Sequence, residues 1–278
     1  MDPKKLKIEL EKILSSDKGA YEAGEILRIV AGISIKDVLS GKDIAKERAD
    51  ECIAYAKRRK ESGMPLGYIL GVSPFFGRDF YVDENCLIPR ADSEILVECA
   101  LSVLKGNDKI ADLCSGSGCL FISLLCEREK LFCRAFDISA GACEAAKKNA
   151  EKFGVLSRCE ISVCDIIKND VLGDDVFDVI ISNPPYILSG DIKSLSQEVL
   201  FEPLCALDGG ADGLDFYREI AKKYMKNLKP NGNLLLECGY DTAENCAALF
   251  CDAGYKTEIF CDYGGNERVV KVTKKQSG

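Results

Sequence analysis

The sequence predicts an α/β protein: a doubly wound, mostly parallel seven-stranded sheet, preceded by a small helical bundle and a β-hairpin. Three observations predict it. Up to residue 72 apolar residues recur at helical spacing. Residues 73–90 hold two short aromatic or apolar runs around Gly77 and a turn-like stretch at 83–85. From residue 91 short apolar strands alternate with helical segments, the pattern of a parallel sheet covered on both faces. The expected domains are therefore a bundle over 1–72, a hairpin linker over 73–90 and a sheet domain over 91–278.

In the bundle, Leu6, Leu10, Ile13 and Leu14 form one stripe. Ile26, Leu27, Val30, Val38 and Leu39 continue it, and Ala45, Ala49, Cys52, Ile53 and Ala56 form another. Breaks fall at 17–19, Gly32 and Gly41. The basic run 57–60 reads as a solvated helix end. In the sheet domain, strands are expected at KIADLCS, LFCRAFD, CEISVCD, FDVIIS, GNLLLECGY, KTEIFCDY and RVVKVT. Helices are expected over 93–105, 119–129, 140–153, 216–228 and 242–252. The last two strands are separated only by Gly264, Gly265 and Asn266, too short for a parallel crossover, so they should pair antiparallel at one end of the sheet.

Composition narrows the chemistry. The 278 residues are 47% hydrophobic, too apolar for a disordered chain. His is absent, which excludes a Ser-His-Asp triad, a Cys-His pair and an H-E-x-x-H zinc site. A net charge of −8 repels phosphate backbones, so no stable nucleic-acid partner is expected. The 15 cysteines are odd in number, contain no C-x-x-C and lie mostly in apolar runs; they read as buried thiols of a reducing cytoplasm, and no metal is expected. The N-terminus lacks a signal-peptide core, and no apolar run approaches the roughly 20 residues that span a bilayer. A cytoplasmic monomer, away from membranes, is the expectation.

Asp112 to Gly118, DLCSGSG, follows the first sheet strand and opens a helix. Gly116 and Gly118 permit a tight turn and close approach of a ligand to backbone, at the place where doubly wound sheets bind nucleotides. A dinucleotide fingerprint would need glycine at Phe121, and a P-loop would need Gly-Lys-Ser/Thr; both are missing. Instead Asp112, Asp137 and Asp165 fall at successive strand ends, with Asp112 expected near the ligand's charged tail. Asp137 can take both ribose hydroxyls of an adenosine, and Asp165 stands where its base would lie. Carboxylates suit a cationic ligand without phosphate, such as S-adenosylmethionine.

Asn183-Pro184-Pro185-Tyr186 follows the fourth sheet strand. Its prolines stiffen the loop. Asn183 offers an oxygen, Pro184 a carbonyl, and Tyr186 an aromatic face for a cationic methyl. Two acceptors and a ring suit a planar –NH2 group, whose lone pair is delocalised and must be aimed at an electrophile. No general base is needed, which agrees with a chain lacking His.

These motifs resemble the release factor glutamine methyltransferases (the PrmC/HemK family). PLGYILG (65–71), FFGRDFYV (75–82), LIPRADSEILVE (87–98), DLCSGSG (112–118), SNPPYI (182–187), EPLCALDGGADGLDFYREI (202–220) and RVVKV (268–272) follow in family order. The resemblance implies a Rossmann-like S-adenosylmethionine-dependent methyltransferase domain over 91–278. It implies a substrate, the glutamine of the Gly-Gly-Gln loop of bacterial peptide chain release factors, methylated on its side-chain nitrogen. By motif it implies cofactor contacts at Cys114, Ser115, Gly116, Ser117, Gly118, Asp137 and Asn183, with Asp165 or Ile166 beside the adenine. Phe75 and Arg90 fall in matching blocks; Phe75 could equally be hairpin core, and Arg90 could pair with Asp92 or Glu94. Asn183, Pro184, Pro185 and Tyr186 should hold the glutamine amide, and the bundle should dock the substrate. The chain departs from the family at Cys114 (usually glycine), at Ser115 (usually threonine) and at 241–243. An adenine-N6 methyltransferase uses a similar tetrapeptide but needs a basic groove. A ribosomal-protein glutamine methyltransferase would keep the chemistry and change the substrate.

Overall fold

The computed structural model describes residues 1–274. The described chain divides into two compact units: residues 1–72 with 196–201, and residues 73–195 with those from 202 onward.

The first unit contains α1 (Pro3–Leu14), α2 (Gly19–Val30), α3 (Ile35–Ser40), α4 (Lys46–Ser62) and α5 (Leu66–Leu70). Local chemistry sets their ends. Asp2 caps α1 by accepting from the Lys4 N–H at 2.8 Å, with Pro3 in the first turn. Ser34 and Asp37 form a capping box on α3. Leu6, Leu10, Leu14, Ile26, Leu27, Ala49, Cys52 and Ala56 form the core. Leu39 and Ala45, expected in the stripes, are exposed. The basic run is not uniformly solvated either: Arg59 is largely buried, bonded to Glu22 at 2.9 Å and to Glu198 at 3.1 Å. Glu198 explains why 196–201, which the sequence placed in the sheet domain, belongs with the helices.

At the boundary, β1 (Val72–Phe75) and β2 (Arg78–Tyr81) form the hairpin, which is shorter than the expected 73–90 and begins at the last residue of the first unit. The sheet strands are β3 (Lys109–Leu113), β4 (Phe132–Asp137), β5 (Cys159–Val163), β6 (Phe177–Ser182), β7 (Leu228–Glu237), β8 (Lys256–Cys261) and β9 (Glu267–Thr273). Their order is β5-β4-β3-β6-β7-β9-β8. The first five strands are mutually parallel. β9 runs antiparallel to both β7 and β8, so the closing hairpin inserts its second strand next to β7 and leaves β8 at the edge.

Helices α6 (Glu94–Val103), α7 (Cys119–Glu127) and α8 (Ala140–Lys152) cover one face, and α9 (Asp215–Lys223) and α10 (Ala243–Asp252) the other. Alternation along the strands feeds the two cores: Ile110, Val179, Ile181, Leu235 and Val269 join the first, and Ala111, Ile180, Leu234, Leu236, Val270 and Val272 the second. Each fully buried aliphatic side chain stabilises the fold by about 1.5–3 kcal/mol. The chain runs from β3 outward through β4 to β5, then returns to β6 on the opposite side of β3. The switch point, where such sheets bind ligands, lies at the carboxyl ends of β3 and β6.

Candidate active site

A cavity of about 350 Å³ opens at that switch point. Cys114 to Ser117, Asp137, Asp165, Ile166, Asn183, Pro185 and Arg90 stand on its wall, whereas Gly118, expected among the cofactor contacts, does not. The sequence scatters them over nearly a hundred residues, and the parallel register brings them together.

The glycine turn is held by backbone bonds: the Ser115 N–H to the Phe136 carbonyl at 2.9 Å and the Gly118 N–H to the Ser115 carbonyl at 2.8 Å. Cys114, where the resembled family has glycine, adopts φ 67°, and Gly118 adopts φ 80°. A side chain at Gly118 would stand 2.8 Å from the side chains of Phe121 and Ile122, so the start of α7 requires glycine. The Ser115 hydroxyl is buried with no hydrogen-bond partner, which fits a loop built to meet a ligand.

Asp137 ends β4 with Oδ2 accepting from the Gly116 N–H at 2.8 Å and Oδ1 from the Ser139 N–H at 2.9 Å. Each oxygen keeps a lone pair for a second donor. Burial raises its carboxyl above the ordinary range, and those N–H groups offset part of the rise. Asp165 is also raised by burial, but the Lys168 ammonium and the Lys168 and Ile167 N–H groups outweigh burial and leave it below the usual value. Asp112 does not end its strand at the cavity. It lies inside β3, wholly buried, with burial pushing its carboxyl well up. Its assignment to the ligand's charged tail is corrected on that ground.

The cations on the wall are engaged. Lys168 pairs with Asp165 at 3.1 Å, and Arg90 pairs with Glu202 at 2.6 Å rather than with Asp92 or Glu94. The cavity therefore offers acidic and neutral groups, which fits a cationic adenosine-bearing ligand and disfavours phosphate.

Phe75 is not on the wall. Its ring is 1% exposed and meets Phe80 edge to face at 6.0 Å in the first core, so the core alternative holds. In the Asn-Pro-Pro-Tyr loop, Asn183 and Pro185 line the cavity, whereas Pro184 is buried beside it and Tyr186 packs against the second core. Tyr186 thus does not turn its ring to the cavity. Burial raises its hydroxyl, Glu237 adds to the rise, and Arg268 and Arg90 oppose it.

Several supporting residues escaped the sequence reading. Asn149 of α8 donates to the Tyr81 and Ser117 carbonyls, both at 2.9 Å, tying hairpin to glycine turn. Its solvent-type residue on an otherwise alanine-rich helix face was the available signal. The Ile187 N–H bonds the Leu207 carbonyl at 2.9 Å, and the Gly209 N–H bonds the Ile187 carbonyl at 2.8 Å. A Cβ at Gly209 would lie 2.6 Å from Tyr186 Cα, so this glycine is what lets the 202–213 segment lie against the loop.

The methyltransferase small domain model matches residues 91–210. The chain is 40% identical over 229 residues to a release factor glutamine methyltransferase of Neisseria gonorrhoeae, covering 82% of this chain and 81% of that protein. It is 36% identical over 281 residues to a bifunctional methyltransferase of Rickettsia felis, covering 90% of this chain and 53% of that protein. The chain thus spans about half the length of that relative. A methyltransferase structure from Pyrococcus furiosus superposes with TM-score 0.53 at 19% identity, covering 72% of this chain and 90% of that one, which shows the same sheet architecture.

Proposed function

The chain belongs to the release factor glutamine methyltransferase family, and from that premise we propose that it methylates the side-chain nitrogen of the Gly-Gly-Gln glutamine in peptide chain release factors. The observation that carries the reading is the shared cavity: Asn183 and Pro185 stand on the same wall as Asp137 and the 114–117 turn. The methyl donor is S-adenosylmethionine, which supplies an electrophilic methyl on a sulfonium. The glycine turn and Asp137 would hold it, with Ile166 and Asp165 at the base.

The protein's own contribution is placement. Asn183 accepts one N–H of the glutamine amide through its side-chain oxygen. The Pro184 carbonyl, between two wall residues, accepts the other. Both bonds draw the nitrogen out of conjugation and aim its lone pair. Alignment at about 3–3.5 Å accounts for as much as roughly 7–11 kcal/mol of barrier lowering. The nitrogen then releases a proton to water, since the methylated amide is strongly acidic. Tyr186 anchors the loop instead of facing the methyl. The helical unit docks the release factor, and the enzyme acts as a monomer in the cytoplasm. Among the described residues no helix is long and apolar enough to cross a membrane.

A radiolabelled methyl-transfer assay tests this. Intact release factor should be labelled, and its Gln-to-Ala loop variant, ribosomal protein and DNA should not. Label on DNA or on the loop variant contradicts the reading.

A further inference from the structure

Asn183 is useful only in one orientation. Its carboxamide is nearly symmetric in shape, and a half-turn would offer the substrate N–H groups a donor instead of an acceptor. Something on the protein side must fix the choice.

Two residues, Ser93 on the cavity wall and Glu237 buried off it, are placed to do so. Ser93 occupies the N-cap of α6, yet its hydroxyl makes no capping bond. It accepts from Asn183 Nδ2 at 3.4 Å instead. Glu237, at the end of β7, lies within reach of both the Ser93 hydroxyl and the Asn183 amide. The β6–β7 register pairs Ser182 with Leu236, which brings the following residues, Asn183 and Glu237, side by side. Glu237 is 1% exposed, and its Oε2 has no hydrogen-bond partner. The cation whose charge acts on it, Arg268, bonds Asp262 at 3.1 Å, the Cys238 carbonyl at 3.3 Å and Asp92 at 3.5 Å. A buried carboxylate left so exposed to cost needs a reason.

We propose that Ser93 and Glu237 are positioning residues, which together fix the Asn183 carboxamide with its oxygen toward the substrate amide. An ionised Glu237 can only accept, so it draws the Ser93 hydroxyl proton to itself. The Ser93 lone pair then faces Asn183 Nδ2, and the oxygen is left for the substrate. A protonated Glu237 can donate to Ser93, which frees the Ser93 proton to meet a flipped Asn183. Burial pushes the Glu237 carboxyl up to about 7; Ser93, Arg268 and Asn183 pull it down, and Asp92 pushes it up. Tyr186 also faces this carboxylate.

This rests on the glutamine-methylation reading, so the test has an arm that does not need turnover. In the wild type, the Asn183 side-chain NH2 resonances should titrate with a midpoint near pH 7. In Glu237→Gln they should not. With intact release factor and saturating S-adenosylmethionine, wild-type kcat should fall below that pH. Ser93→Ala and Glu237→Gln should lower kcat by about ten- to a hundredfold, with the acid limb absent in Glu237→Gln and cofactor Kd unchanged in both. Ser93→Thr, which keeps the hydroxyl, should restore turnover. Asn183 resonances that ignore pH, or variants with wild-type kcat and pH profile, overturn the proposal. If the wild type transfers no methyl, the functional reading fails, and the resonance titration still decides this one.

Discussion

Asn183 gives the sharpest single substitution. Asn183→Ala should lower turnover by about 10² to 10³, the effect of removing one transition-state hydrogen bond, while cofactor Kd by calorimetry stays within severalfold. Asp137→Ala should do the reverse kind of damage. It removes a charged acceptor and should weaken S-adenosylmethionine binding by about 2 kcal/mol, roughly thirtyfold. Unchanged affinity would remove Asp137 from the ribose. Cys114 tests the backbone. At φ 67° a side chain is strained by about 1–2 kcal/mol. Cys114→Gly relieves that strain and loses only a small thiol, so denaturant midpoints should move little. Cys114→Val adds a β-branch at a left-handed position and should unfold much earlier. The sequence showed that a side chain replaces glycine here; the sign of φ needed the structure.

The strand–helix alternation was legible because its two periods, 2 and 3.6, are written in the apolar residues. The closing hairpin was legible because Gly264 to Asn266 is too short to cross over. The insertion of β9 between β7 and β8 was not, since a turn fixes the pairing of two strands but not which of them meets the sheet. Likewise the glycine turn and Asn183 could be placed from motif and order. Asp112 could not, because a strand's end and its interior differ by one residue. The 202–213 segment shows how an element without regular structure supports the site. Gly209→Ala would force a Cβ to 2.6 Å from Tyr186 Cα. It should displace the 183–186 loop, cost about 1–3 kcal/mol of stability and depress methyl transfer more than cofactor binding. Full activity in that variant would show that the segment merely lies nearby.

For the molecule as a whole, buried carboxylates near the switch point set a pH dependence. Glu237, raised from 4.5 to about 7 in the folded state, binds its proton more tightly folded than unfolded. Stability from this group is therefore lost as pH rises through that window, by roughly 3 kcal/mol in all. Urea unfolding at pH 5 and pH 8 should show the drop, and Glu237→Gln should shrink it. The proposed docking role of the helical unit makes a separate expectation. Removing residues 1–72 should leave cofactor affinity nearly intact and raise KM for intact release factor by about tenfold, with little change for a short loop peptide. Equal KM values would place docking elsewhere. The recruitment of 196–201 to that unit was not legible, since it depends on Arg59 meeting Glu198 across 139 positions. On the proposed reading, the whole arrangement brings a carboxamide nitrogen to an activated carbon. The direct measurement is a crystal structure with S-adenosylhomocysteine and a Gly-Gly-Gln peptide. The glutamine nitrogen should lie on the cavity side of Asn183, bonded to its oxygen and facing the sulfur. A glutamine bound away from Asn183, or pointed at solvent, contradicts that reading.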